Sequence, residues 1–166
     1  MSPSTTPPVP TGPTGIGSTG IGSTGIGPTG IGSDAHVRAH PPKRLLIVDD
    51  AALIRAYYRQ ALEQPGGYTV DEAFNGIEAL EKALSGPYDL ILVDVNMPKM
   101  DGLTFVRTLR TTEEIACLPV MMTSTLNRDK DIAAARAVGV NLYLVKPISV
   151  DDLRLFAAIM TGATEP

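Results

Sequence analysis

Asp49 and Asp50, Asp94, Ser124 and Lys146 all stand at the ends of apolar, strand-like runs: Leu45 to Val48, Leu90 to Val93, Val120 to Thr123 and Leu142 to Val145. Forty-four residues separate Asp50 from Asp94, thirty separate Asp94 from Ser124 and fifty-two separate Asp94 from Lys146. Brought into one crevice, three carboxylates, a hydroxyl and an ammonium form a set suited to a divalent cation and a phosphoryl group. Two carboxylates about 4 Å apart repel by roughly 4 kcal/mol at an effective dielectric near 20, so three of them require a compensating cation. Magnesium suits the set, because it takes one or two carboxylates, keeps several waters and completes its shell with phosphate oxygens. Lys146 supplies a point charge for one phosphoryl oxygen, and the Ser124 hydroxyl can donate to another. So surrounded, the Asp94 carboxylate can attack phosphorus and hold the product as an aspartyl phosphate.

This chemistry requires elements that place all four strand ends together, and the sequence alternates accordingly. After Leu45–Val48, the residues Leu53, Ile54, Tyr57, Tyr58, Ala61 and Leu62 recur at helical spacing until Pro65-Gly66-Gly67 stops them. Tyr68 to Ala73 reads as a second strand, and Asn75 with Glu78 resembles a capping box opening a helix through Leu84. Leu90 to Val93 is followed by a helix over Gly102 to Thr111, and Val120 to Thr123 by a helix capped at Asn127 and ending at Gly139. Leu142 to Val145 precedes a last helix, opened by Ser149 with Asp152 and carrying Leu153, Phe156, Ala157 and Met160 on one face. Five βα units predict an α/β fold, a parallel sheet covered on both sides. In an open sheet of this kind, residues just past the strand C-termini line one crevice.

Each residue alone has an ordinary alternative. Asp49 could be a turn or cap residue, Lys146 a solvated lysine held extended before Pro147, and Ser124 a partner for a backbone group. Those explanations would have to coincide at corresponding ends of four strands.

The chain of 166 residues has room for one ordinary domain and a tail. Its formal net charge of -4 offers no basic face for nucleic acid or acidic membrane. Cys117 is the single cysteine, which excludes an internal disulfide. The first residues have neither a basic n-region nor an apolar core, and no apolar run reaches the ~20 residues that span a bilayer, so a cytoplasmic protein is expected. Residues 1–42 are rich in Gly, Pro, Ser and Thr and repeat Thr-Gly-Ile-Gly followed by Ser or Pro from Thr14 to Ser33. One Ile per five residues cannot build a buried face, and a disordered tail is expected. Gly15-Ile16-Gly17-Ser18-Thr19-Gly20 satisfies the dinucleotide pattern Gly-x-Gly-x-x-Gly, but lacks the preceding strand and following helix on which phosphate binding depends.

Leu45-Leu46-Ile47-Val48-Asp49-Asp50, the stretch from Leu92 to Gly102 around Asp94-Val95-Asn96-Met97-Pro98, Pro119-Val120-Met121-Met122-Thr123-Ser124 and Tyr143-Leu144-Val145-Lys146-Pro147 together resemble the receiver domain of two-component response regulators. The likeness covers residues 43–162, with the motifs in order and at the family's spacings. It implies a flavodoxin-like (βα)5 fold of strand order 2-1-3-4-5. It also implies phosphorylation of Asp94 by a histidine kinase or a histidine phosphotransfer protein. By the same resemblance Asp49 and Asp50 form the acidic pair that holds Mg2+ with Asp94, the backbone carbonyl of Asn96 completes the metal shell, and Lys146 is the conserved-type lysine. Ser124 then matches the switch hydroxyl, Tyr143 the aromatic switch, and Pro98 and Gly102 the loop leading into the third helix; the family's Lys-Pro bond is usually cis. An edge-facing aromatic is the ordinary alternative for Tyr143.

Two positions depart from the pattern: Ser124 stands where Thr is commoner, and Ile148 where Phe is frequent. Thr123 and Thr125 flank Ser124, but Ser124 alone keeps the thirty-residue spacing. With Thr161 to Pro166 the only residues after the last helix, a stand-alone receiver with a downstream protein target is expected, and a chemotaxis-type output is plausible. A haloacid-dehalogenase-like phosphatase would need Asp-x-Asp after the first strand, whereas Asp49-Asp50-Ala51-Ala52 lacks the second acid at that offset. A docking module that had lost phosphorylation would usually lack an acid or the lysine, and an acidic crevice would repel a flavin phosphate.

Overall fold

The apolar runs pair side by side because each is too short and too hydrophobic to be stable with either face in water. A computed structural model describes residues 42–64 and 67–163, with Gly12; the tail expected over 1–42 lies outside these residues but for Gly12 and Pro42. The elements are β1 (Arg44–Val48), α1 (Ala52–Leu62), β2 (Thr69–Ala73), α2 (Gly76–Ser85), β3 (Leu90–Asp94), α3 (Gly102–Thr111), β4 (Val120–Ser124), α4 (Asp129–Ala137), β5 (Leu142–Val145) and α5 (Val150–Thr161). The strands form one sheet in the order β2-β1-β3-β4-β5, every pair parallel. This is the flavodoxin-like order that the resemblance implied.

Alternation along the strands divides the core in two. Leu46, Val48, Ile91, Val93 and Met122 pack with Ala79, Phe105, Val106 and Leu109 of α2 and α3. Leu45, Ile47, Leu90, Leu92 and Met121 pack with Tyr58, Leu62, Leu153 and Ala157 of α1 and α5. A fully buried Leu, Ile or Phe contributes roughly 1.5–3 kcal/mol relative to exposure, so both layers are needed to hold the strand ends in register. Central β3 is buried throughout and edge β5 only partly, as the strand order requires.

Local signals set the helix starts. Asn75 Oδ1 accepts from the amides of Ile77 and Glu78 at 3.0 and 3.1 Å, while Glu78 reaches back to the Phe74 amide at 3.0 Å. The capping box is therefore present with its return bond one residue earlier than in the usual form. Ser149 Oγ caps α5 through the Asp152 amide at 3.0 Å. The expected cap at Asn127 is corrected: α4 starts after Arg128, which stays extended and gives no side-chain cap. Asp129 and Asp131 in the first turn favour that start through the helix dipole instead. No helix among the described residues is long and apolar enough to cross a membrane.

Candidate functional site

A parallel sheet carries all its strand C-termini to one edge, and there Asp49, Asp94 and Lys146 meet. Asp49 follows β1 and is 2% exposed; Asp94 ends β3 and is 7% exposed. From the far side, Lys146 follows β5 and places its Nζ 2.8 Å from Asp49 Oδ2 and 2.5 Å from Asp94 Oδ1. The Lys146 amide donates to the Ser124 carbonyl at 2.8 Å, which fixes the root of the side chain. The Lys146–Pro147 peptide is cis.

The other oxygens of the two acids are held by backbone amides. Ala51 N–H donates to Asp49 Oδ1 at 2.9 Å, and Asn96 N–H donates to Asp94 Oδ2 at 2.6 Å. Behind Asp94, Gly102 opens α3 so close to the strand that an added Cβ would lie 2.2 Å from the Asp94 carbonyl oxygen. Only glycine permits that approach. The intervening loop turns at Lys99, with φ of 65°, and the Met100 carbonyl accepts from the Gly76 amide at 3.2 Å, tying the loop to α2.

One ammonium cannot balance two buried carboxylates. Burial, joined by the Asp49 charge, raises the Asp94 carboxyl above the ordinary carboxylate range, although Lys146 and the Asn96 amide oppose the shift. Burial is also the largest influence on Lys146 and would lower it, but hydrogen bonds and charge from Asp49 and Asp94 together raise it. Burial thus leads the shift of Asp94, whereas the two carboxylates produce the shift of Lys146.

Ser124 is fully buried, and its Oγ accepts from the Leu126 amide at 3.0 Å rather than reaching Asp94. Tyr143 Oη donates to the Leu126 carbonyl at 2.9 Å. Both backbone groups of Leu126 are thereby engaged by the two expected switch residues. Asp50 is exposed, and among the described residues no group of three or more His, Cys, Asp or Glu side chains is gathered as a metal cluster. The donor chemistry nevertheless fits a hard cation. Each oxygen of Asp49 and Asp94 accepts one hydrogen bond among the described residues, and a carboxylate oxygen can accept two.

Three residues that sequence reasoning did not select also belong here. Arg55 Nη1 donates to the carbonyls of Asp49 and Asp50 at 2.8 and 3.3 Å. Tyr58, placed by periodicity in the helix stripe, has its phenol raised by burial, with Lys146, Thr123 and both buried acids among the groups that act on it. Thr123 is 1% exposed, and among the described residues its hydroxyl meets no partner in hydrogen-bonding geometry although Tyr58 is close enough to feel it. Periodicity assigned Tyr58 correctly to the core but is silent on its polar end, and nothing in the sequence separates Arg55 from a surface arginine. Beside Lys146 runs an apolar groove of about 680 Å³, lined by Leu53, Ile54, Tyr57, Tyr58, Pro147 and Ile148.

Comparison with known proteins gives a consistent result. The family described as response regulator receiver domain matches residues 45–158. Chemotaxis protein CheY-3 of Vibrio cholerae serotype O1 is 38% identical over 112 residues, covering 67% of this chain and 85% of the relative. The gliding motility regulatory protein of Myxococcus xanthus is 42% identical over 103 residues, covering 62% of this chain, which spans 13% of that relative. Among solved structures, the chemotaxis response regulator CheY4 of Vibrio cholerae superposes with a TM-score of 0.67 at 33% identity, covering 72% of this chain and 99% of that one. The Francisella response regulator 1452 receiver domain superposes with a TM-score of 0.68 at 29% identity, over 74% and 99% of the two chains. With the fold, the matched motifs and the paired acids in agreement, this chain belongs to the response-regulator receiver family of two-component signalling.

Proposed function

We propose that the chain accepts a phosphoryl group on Asp94 from a histidine kinase or a histidine phosphotransfer protein and converts it into a changed protein-binding surface. Receiver domains are signalling domains rather than enzymes of the ordinary kind, and the protein's own chemistry is limited to gaining and losing this group. The observation that carries the reading is Lys146 Nζ set between Asp49 and Asp94, residues 97 and 52 positions away in sequence.

In the transfer, an Asp94 carboxylate oxygen forms a bond to phosphorus and the phosphorus–nitrogen bond of the donor phosphohistidine breaks. The departing imidazole keeps the electron pair and takes up a proton. Asn96 N–H holds one Asp94 oxygen in a fixed direction during this exchange. Lys146, already in contact with Asp94, passes to a phosphoryl oxygen while retaining Asp49. The Ser124 hydroxyl accepts from Leu126 and so keeps its own proton for a phosphoryl oxygen. Receiver domains of this family typically bind Mg2+; Asp49, Asp50, Asp94 and the Asn96 carbonyl would hold it here, and it would neutralise charge on the transferring oxygens. The groove beside Lys146 gives a histidine-bearing protein an apolar footing next to the acceptor.

The phosphoryl group adds about -1.5 to -2 charges and several acceptor oxygens. Drawing Ser124 toward it pulls on the Leu126 amide, and the Leu126 carbonyl holds Tyr143. The surface of α4, β5 and α5 is then re-shaped through a shift between two pre-existing states. The test is intact mass after incubation with acetyl phosphate and Mg2+, with partner binding measured in parallel. A gain of one phosphoryl group that disappears in Asp94→Asn is expected; equal gain and equal binding response in the variant would refute the reading.

A further inference from the structure

Two guanidinium groups of α1 converge on one carboxylate of β2. Arg55 Nε donates to Glu72 Oε2 at 2.9 Å, and Arg59, one turn later, donates from Nε to Glu72 Oε1 at 2.6 Å. Burial is the largest influence on the Glu72 carboxyl and would raise it, but the two arginines outweigh it and hold the group below the ordinary range. Arg55 differs from Arg59 in its second set of bonds. Its Nη1 donates to the carbonyl oxygens of Asp49 at 2.8 Å and of Asp50 at 3.3 Å, and its side chain is 15% exposed.

A peptide group is planar, so gripping two consecutive carbonyls with one arm of the rigid guanidinium fork, whose other arm is held by Glu72, fixes the planes on either side of the Asp50 Cα. The Asp50 side chain is exposed, and its starting direction is set by the backbone. We infer that Arg55, braced by Glu72, is a positioning residue that orients the acidic turn of Asp49 and Asp50 for uptake of a divalent cation. The inference rests on the magnesium-assisted reading above and adds the group that pre-organises the ligands.

Charge and positioning predict opposite signs. By Coulomb's law alone, deleting the cationic Arg55 beside the acids would tighten Mg2+ binding. Loss of the fork would instead leave the turn to be ordered when the cation binds, and affinity would fall. Groups that orient metal ligands typically alter affinity by 10–100-fold when removed.

The experiment titrates the whole chain and its Arg55→Ala, Arg55→Lys and Glu72→Gln variants with MgCl2 by calorimetry. Labelling by acetyl phosphate is then followed by intact mass as a function of Mg2+. Arg55→Ala should raise the Mg2+ Kd on the order of tenfold, with the maximal labelling rate recovered at saturating Mg2+. Arg55→Lys, which loses the fork but keeps the charge that repels the cation, should show a rise in Kd at least as large. A purely structural role would lower the thermal midpoint without moving the Mg2+ midpoint. Unchanged or tighter Mg2+ binding in both Arg55 variants overturns the inference. Should Arg55→Ala not fold, unchanged Kd in both Arg55→Lys and Glu72→Gln overturns it equally. Failure of the underlying reading looks different: the wild-type chain itself would take up no Mg2+, and both ideas fall together.

Discussion

The two edges of the sheet handle charge in opposite ways. At the strand C-termini, Asp49 and Asp94 share a single ammonium, with side chains 3% and 10% exposed. At the N-termini, charges are matched and half in water. Lys43 meets Asp89 at 2.9 Å and Arg44 meets Asp71 at 2.7 Å, with side chains between 33% and 42% exposed. The same edge holds Arg110, whose guanidinium donates to the carbonyls of Gly139, Ala116 and Leu118 and to Asn141 Oδ1. Asn141 Oδ1 also accepts from the Val120 amide at 2.8 Å, so β4 and β5 are bound to α3 at that end. One edge is thus stitched by saturated polar contacts, while the other retains negative charge in excess. Only the C-terminal edge still has an unmet demand for positive charge.

Removing the shared ammonium should have the largest effect. Lys146→Met leaves two buried acids uncompensated, and urea unfolding at neutral pH should show a loss of about 3–5 kcal/mol. The loss should shrink in acid, because the native Asp94 binds its proton at a higher pH than the unfolded chain does. The opposite limb is equally specific. The Lys146 pKa is raised on folding, so its contribution is full below the ordinary lysine value of about 10.4 and lost as pH rises through the native value. The methionine variant should lack that alkaline limb.

At the stitched edge, Arg110→Ala strands three backbone carbonyls and should destabilise by about 2–3 kcal/mol, with phosphorylation of the remaining folded protein unaltered. A loss of labelling that exceeds the unfolded fraction would show that the two edges are not independent. Lys43→Ala, at a half-exposed pair, should fall within about 0.2–1 kcal/mol and vanish into salt screening.

Legibility in the sequence follows the range of the forces. Strands and most helix starts are written locally, in apolar runs and in caps such as Asn75 and Ser149, and those expectations agree with the structure. Asn127 misled because a residue of the right type stood one place too early, where the chain leaving β4 remains extended. The convergence of Asp49, Asp94 and Lys146 was readable because parallel topology converts equal strand position into proximity. The direction of a hydroxyl is not encoded that way: Ser124 lies where expected but spends its acceptor on Leu126, and Tyr58 looked like core alone. Arg55 was missed for a related reason, since its contacts are to main-chain oxygens, which leave no mark in the identities of the residues contacted.

That last property recurs at Leu126, which is gripped by Ser124 through its nitrogen and by Tyr143 through its oxygen. A relay made of peptide atoms is blind to the side chain it passes through. Evolution or a protein engineer can therefore rewrite the side chain at position 126 and leave both main-chain hydrogen bonds available. Proline is the exception, because it deletes the one hydrogen on which the nitrogen half of the linkage depends.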